Sequence, residues 1–160
     1  MQFYQVIAFT LSDNRMKQPI ALLITDTHLH DGNIELVKDI FQQAIEQCKK
    51  NNINQIFHLG DWFTSRKSQS QAVLLTTKQI IKWFKINDIK CSIIKGNHDA
   101  VEADSEESFI DIFDDFQFFN VCKQESQINH DSMTINMIPY FKESGSYLSR
   151  LENITNFPIH

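Results

Sequence analysis

Three short polar clusters, each at the end of a strand-like run, constrain this chain more than any other feature. They are Asp26-Thr27-His28, Gly60-Asp61 and Gly96-Asn97-His98-Asp99. Ile20 to Ile24 is continuously apolar, as a strand buried on both faces must be. Ile53 to Leu59 and Ile89 to Lys95 read as the second and third strands. Between them, Ile34, Val37, Phe41, Ala44, Ile45 and Cys48 recur at helical spacing, with Asn33 as the expected cap and Asn51-Asn52 as the stop. A second helix is expected from Gln69 to Ile86, with Val73, Leu74, Thr77, Ile80, Ile81 and Phe84 on one side and Asn87-Asp88 closing it. Asp61 lies 35 positions after Asp26, and Asn97 lies 36 after Asp61. Each interval fits one strand–helix crossover, so the strands should be parallel and their carboxyl ends should share one edge. Open α/β sheets build their sites along that edge, so the three clusters should converge there.

The remainder of the chain is less regular. Val101 to Glu107 is acidic and reads as a loop, Ser108 to Phe116 as a short helix, and Phe118 to Cys122 and Met133 to Ile138 as strands. A turn is expected near Asn129-His130-Asp131, and Tyr147 to Ile154 has a weak helical pattern. At 160 residues, 42% hydrophobic and 22% charged, the chain suits a single soluble domain spanning 1–160. Residues 1–15, ahead of Met16, read either as an added strand or as an upstream extension. A net charge of −5 excludes a general electrostatic grip on nucleic acid. Contact with DNA would need metal ions, a partner or a local basic patch, and Thr64-Ser65-Arg66-Lys67 is the basic cluster next to a motif. Cys48, Cys91 and Cys122 are odd in number and form no CxxC, which points to reduced thiols. Neither a cleavable leader nor a run of ~20 apolar residues is present, so the expected location is cytoplasmic, with no membrane partner.

The clusters carry the right chemistry for metals. Carboxylate, imidazole and amide donors suit Mn, Fe or Zn, and no thiolate cage is available. Asp-x-His at a strand end can turn two donors to one side, because alternate residues share a face. A carboxylate on the middle strand can bridge two ions ~3.5–4 Å apart, the separation used in two-metal hydrolysis. Gly60 and Gly96 permit close backbone approach just ahead of the donors.

Asp26-Thr27-His28, Gly60-Asp61 and Gly96-Asn97-His98-Asp99 together resemble the first three motifs of the calcineurin-like metallophosphoesterases. The run Gly60-Asp61-Trp62-Phe63-Thr64-Ser65-Arg66-Lys67 and the later Ile138-Pro139-Tyr140 are most similar to the SbcD-type DNA-repair nuclease branch and its phage-encoded relatives. The resemblance covers about Ile20 to Tyr140. It implies an α/β sandwich of mostly parallel β-sheets flanked by helices, of which this chain is the N-terminal portion. It also implies two divalent metal ions, chiefly Mn, with Fe, Zn or Mg as alternatives. Asp26 and His28 would bind the first ion, Asp61 would bridge, and Asn97 would bind the second. His98 would be the catalytic histidine, Asp99 would orient its neighbours, and Arg66 would touch substrate. The implied reaction is phosphodiester hydrolysis of DNA by a metal-bound hydroxide attacking phosphorus. An SbcC-like ATPase subunit and a homodimer are implied partners.

Two departures qualify that expectation. Family members carry a further His and a Gly-His-x-His element, and this sequence has neither, so weak metal affinity and little activity are expected of these 160 residues. The same gap would fit a binding module that has lost catalysis. A rival resemblance starts from Thr25-Asp26-Thr27-His28-Leu29-His30, which is similar to the HxH opening of TatD-type hydrolases. That barrel needs about 250 residues, and it gives no reason for the second and third clusters.

Overall fold

In a computed structural model, residues 19–101, 107–130, 133–140 and 149 are described. Four strands run parallel in the order of the chain: β1 Leu22–Ile24, β2 Gln55–His58, β3 Lys90–Ile94 and β4 Phe119–Cys122. Registers pair Ile24 with His58, His58 with Ile93, and Ile94 with Cys122, so the carboxyl ends lie level. The crossovers are α1, Ile34–Lys50, and α2, Gln71–Ile86. A 3-10 turn at Phe109–Phe113 precedes β4.

Strand alternation sorts the core into two layers. Leu22, Ile24, Ile56, Cys91, Ile93, Phe119 and Val121 face the helices, where Val37, Phe41, Ile45, Ile80, Ile81 and Phe84 cover them. Each fully buried side chain of this size contributes about 1.5–3 kcal/mol relative to exposure. Leu23, Phe57, Ile94 and Cys122 face the other way, against Ile128, Ile135 and Met137. Those last residues belong to an antiparallel hairpin, β5 Ser126–His130 and β6 Met133–Met137. The expected α/β architecture is therefore present as a parallel sheet with helices on one face. Its second layer, however, is an antiparallel hairpin.

The helices end alike. Asn52 takes φ 56° and Asp88 φ 53°, and each is followed by an isoleucine whose N–H reaches back into the last turn. Ile53 N donates to Cys48 O and Asn52 N to Lys49 O; Ile89 N donates to Phe84 O and Asp88 N to Lys85 O. These are paired Schellman closures, with Asn and Asp in the left-handed position usually given to glycine.

Three details differ from the sequence-based expectation. The second helix starts at Gln71 rather than Gln69, because Ser70 Oγ accepts from Val73 N and caps it. Asn33 flanks α1 but makes no side-chain cap for it. It closes a capping box over the 3-10 turn Asp31–Asn33, accepting from His30 N while His30 Nδ1 accepts from Gly32 N. The strand β5 was not anticipated, since Ser126–His130 offers one large apolar residue. His130 serves structure there, donating from Nε2 to Ile20 O at 2.9 Å. Residues 1–15, most of the acidic loop and the segment 147–154, Ser149 apart, lie outside the described residues.

All three cysteines are free and buried. Burial pushes the Cys48 thiol up to about 11 and raises the thiols of Cys91 and Cys122, which makes them poor nucleophiles. No helix among the described residues is long and apolar enough to cross a membrane.

Candidate metal centre

The loops after β1 and β2 run side by side and are clamped at both ends. Before them, Leu59 N donates to Ile24 O; beyond them, Leu29 N donates to Trp62 O and Leu29 bridges Phe63 in a resumed parallel pairing. Between the clamps, Asp26 N donates to Gly60 O and His28 N to Asp61 O. Within this short stretch Asp26, His28 and Asp61 all take left-handed backbone, at φ 55°, 44° and 56°. Such conformations cost about 1–3 kcal/mol each in non-glycine residues and persist where surrounding contacts enforce them. Trp62 and Phe63, both fully buried, anchor the second loop in the core, and Trp62 Nε1 donates to Thr77 Oγ1.

The two glycines permit the loops after β2 and β3 to touch. A Cβ on Gly60, which has φ 95°, would stand 2.7 Å from Gly96 Cα. A Cβ on Gly96 would collide with the backbone nitrogen and carboxylate of Asp61. No other residue fits either place.

That packing brings the donors together. One ligand atom from each of Asp26, His28 and Asp61 lies within 4.8 Å of the others. His28 Nε2 is 3.6 Å from Asp26 Oδ1 and 3.9 Å from Asp61 Oδ2. Two donors sharing an ion through bonds of about 2.1 Å stand no more than roughly 4.2 Å apart, so both pairs fit a common cation. Asp61 is buried and divides its oxygens: Oδ1 accepts from His98 N at 2.8 Å, and Oδ2 stands between His28 and Asn97. Asp26 is exposed, and its Oδ2 is engaged by Thr25 Oγ1 at 2.6 Å.

Asn97 sits on the far side of Asp61. With its amide nitrogen turned inward it donates to Asp61 Oδ2 at 2.9 Å and Oδ1 at 3.2 Å, and its oxygen accepts from Arg66 Nη2 at 3.2 Å. Turned the other way, the amide sets an oxygen against a carboxylate, an arrangement that only a cation between them would satisfy. Carboxylate, imidazole and amide oxygen are the donors a hard or borderline divalent ion takes, so the residues present fit one.

His98 stands edge-on to His28, with ring centroids 5.0 Å apart. Its Nδ1 is 3.2 Å from Thr64 O. A carbonyl only accepts, so Nδ1 carries the proton and Nε2 is the nitrogen left to exchange one. Asp99 is buried and accepts a backbone hydrogen bond from Asp61, one of the donors. Its oxygens accept from Phe63 N at 3.1 Å and Gly96 N at 2.9 Å, tying the second loop to the third. Burial raises its pKa, partly offset by those amide bonds.

Two residues support the site: Thr27, which the sequence does not single out, and His58, which flanks the second motif and is expected from sequence to support the site or the core. Thr27, buried between Asp26 and His28, donates from Oγ1 to Trp62 O at 3.3 Å and lies 3.2 Å from His58 Nε2. With the hydroxyl proton committed to Trp62 O, His58 must donate from Nε2, which leaves its buried Nδ1 as an unpartnered acceptor. Burial, reinforced by His28, lowers the His58 pKa to about 3 and keeps the ring neutral, packed against Trp62 and beside Phe41. The clue in the sequence was a histidine at an inward position of β2. His30, the second histidine of the HxH reading, caps a turn and is absent from the donor group, and an open parallel sheet replaces the barrel that reading requires. Ile138-Pro139-Tyr140 docks beside the third motif, with Tyr140 N donating to Lys95 O at 2.8 Å.

No curated protein matches the chain significantly. Among solved structures, a nuclease MPE of Pseudomonas putida is 22% identical, with a TM-score of 0.44 over 63% of this chain. The chain spans 46% of that protein's length. A family model described as calcineurin-like phosphoesterase matches residues 21–159, which takes in all three motifs and every element described above. The chain belongs to the calcineurin-like phosphoesterase family.

Proposed function

We propose that this chain is the metal-binding part of a phosphodiesterase acting on DNA, of the SbcD-type repair-nuclease kind. The observation that carries the reading is the meeting of Asp26, His28 and Asp61 within 4.8 Å, with His98 hydrogen-bonded to Asp61. Asp26 and His28 would hold one divalent ion together with Asp61, and Asn97 would serve a second. Bound there, two such ions would supply an activated water and neutralise charge growing on the phosphoryl oxygens.

The remaining work falls to the protein. Asp61 holds the third loop through His98 N. Thr64 O fixes the His98 ring so that Nε2 can hold a proton for the departing oxygen. Arg66, half-buried at the edge of the site, is suited to a phosphodiester oxygen through its planar fork of donors. DNA as the substrate draws support from the resemblance of Gly60-Asp61-Trp62-Phe63 and Ile138-Pro139-Tyr140 to that branch and from Arg66. Assembly with an SbcC-like ATPase and dimerisation follow from the same resemblance.

Isothermal titration of the chain with Mn²⁺ tests the metal centre: saturable binding that disappears in Asp61→Ala and weakens in His28→Ala is expected. Binding indifferent to both substitutions would remove it. Substrate class is read by assaying the full-length protein with Mn²⁺ on linear DNA and on a small phosphodiester. Turnover of the small ester alone would overturn the nuclease reading.

A further inference from the structure

We propose that Asn97 is a metal-gated latch on Arg66, holding the guanidinium while the centre lacks its second cation and releasing it to substrate when that cation binds. The inference rests on the metal-centre reading above and deepens it. A primary amide has one accepting face and one donating face, exchanged by a half-turn about its last torsion. Asn97 lies between neighbours of opposite demand. Both oxygens of Asp61 only accept, and the Arg66 guanidinium only donates. Without a cation, a single orientation satisfies both, with the NH2 toward Asp61 and the oxygen toward Arg66 Nη2.

A divalent cation reverses the demand. It is held by the amide oxygen, because the nitrogen lone pair is delocalised into the carbonyl. An ion shared by Asp61 and Asn97 therefore requires the half-turn, which leaves NH2 facing N–H donors. The Arg66 contact is then lost. Cation binding at Asn97 and the Arg66–Asn97 hydrogen bond exclude one another.

The freed guanidinium stays at the site because its loop is pinned. Thr64 Oγ1 donates to His28 O at 2.6 Å, and Thr64 O accepts from His98. Ser65 Oγ accepts from Lys67 N and Ser68 N, and Gln69 Nε2 donates to Ser65 O. Among the described residues no carboxylate pairs with Arg66. A phosphoryl oxygen beside the metals is the acceptor this geometry leaves for it. The latch thus orders events, with metal first and substrate contact second.

Manganese titration of a double-mutant cycle, in the full chain, tests it. Arg66→Ala removes the competitor for the amide oxygen, so Mn²⁺ should bind roughly three- to tenfold more tightly, the worth of one net hydrogen bond. Simple removal of a positive charge would also tighten binding, but it would do so with or without the amide. The gain should therefore be larger in the wild-type background than when Arg66→Ala is compared in an Asn97→Ala background. An unchanged affinity in Arg66→Ala, or an equal gain in the two backgrounds, overturns the latch and leaves the metal centre standing. Absence of saturable Mn²⁺ binding in the wild type would remove both.

Discussion

Left-handed backbone occurs at both ends of this parallel sheet, for different reasons. At the amino end, Asn52 and Asp88 adopt it to close α1 and α2, and their contacts lie within the preceding turn. At the carboxyl end, Asp26, His28 and Asp61 adopt it in loops held by residues more than thirty positions away, through Gly60, Asp61, Trp62 and His58. The first set is local chain punctuation that Asn and Asp supply cheaply. The second is strain imposed by tertiary ties, and it coincides with the metal donors.

The comparison can be broken most severely at the glycines. Gly60→Ala places a methyl against Gly96 Cα from a backbone at φ 95°. It should destabilise the chain by about 3 kcal/mol, read as a lowered urea midpoint. Next comes Thr27→Val, which strips the Trp62 carbonyl of one partner and leaves His58 Nε2–H buried without any. A loss of about 1–3 kcal/mol is expected, with Mn²⁺ affinity falling roughly tenfold, and Thr27→Ser should restore both. Stability restored by serine without affinity would show that the tie supports the core but not the donors.

A more gradual effect is set by pH. His58 stays neutral in the fold down to about pH 3 but takes a proton near its ordinary 6.5 once unfolded. Between those values the unfolded chain binds more protons, so stability should fall with decreasing pH by about 1 kcal/mol per unit from this residue. His58→Gln should flatten that part of the profile in denaturation series from pH 7 to 4. A profile parallel to wild type would mean the ring is hydrated and titrates normally. The smallest change belongs to the helix ends, where Asn52→Gly should stabilise by up to about 1 kcal/mol, seen as a raised melting temperature. A loss there would mean the Asn52 side chain contributes more than its backbone.

What could be read from the sequence follows the same division. The strands, the helices and their Asn-Asn and Asn-Asp stops were legible because each is decided within a turn or two. Convergence of the three motifs was legible as well, since parallel crossovers dictate it. The pairing of Thr27 with His58, 31 positions apart, required the register of β1 on β2. The contact of Arg66 with Asn97 required the crossing of two loops at paired glycines. Ser126–His130 was missed because its polar residues carry no strand pattern until β6 lies beside it. His30 and Asn33, which a local reading made a ligand candidate and a helix cap, instead share one capping box.

The most direct measurement is anomalous diffraction from crystals soaked in manganese. The account predicts an ion bonded to Asp26, His28 and Asp61, and, with a second ion between Asp61 and Asn97, the amide turned so that its oxygen faces that ion. No manganese peak at these side chains, or one bound only elsewhere on the surface, would contradict it.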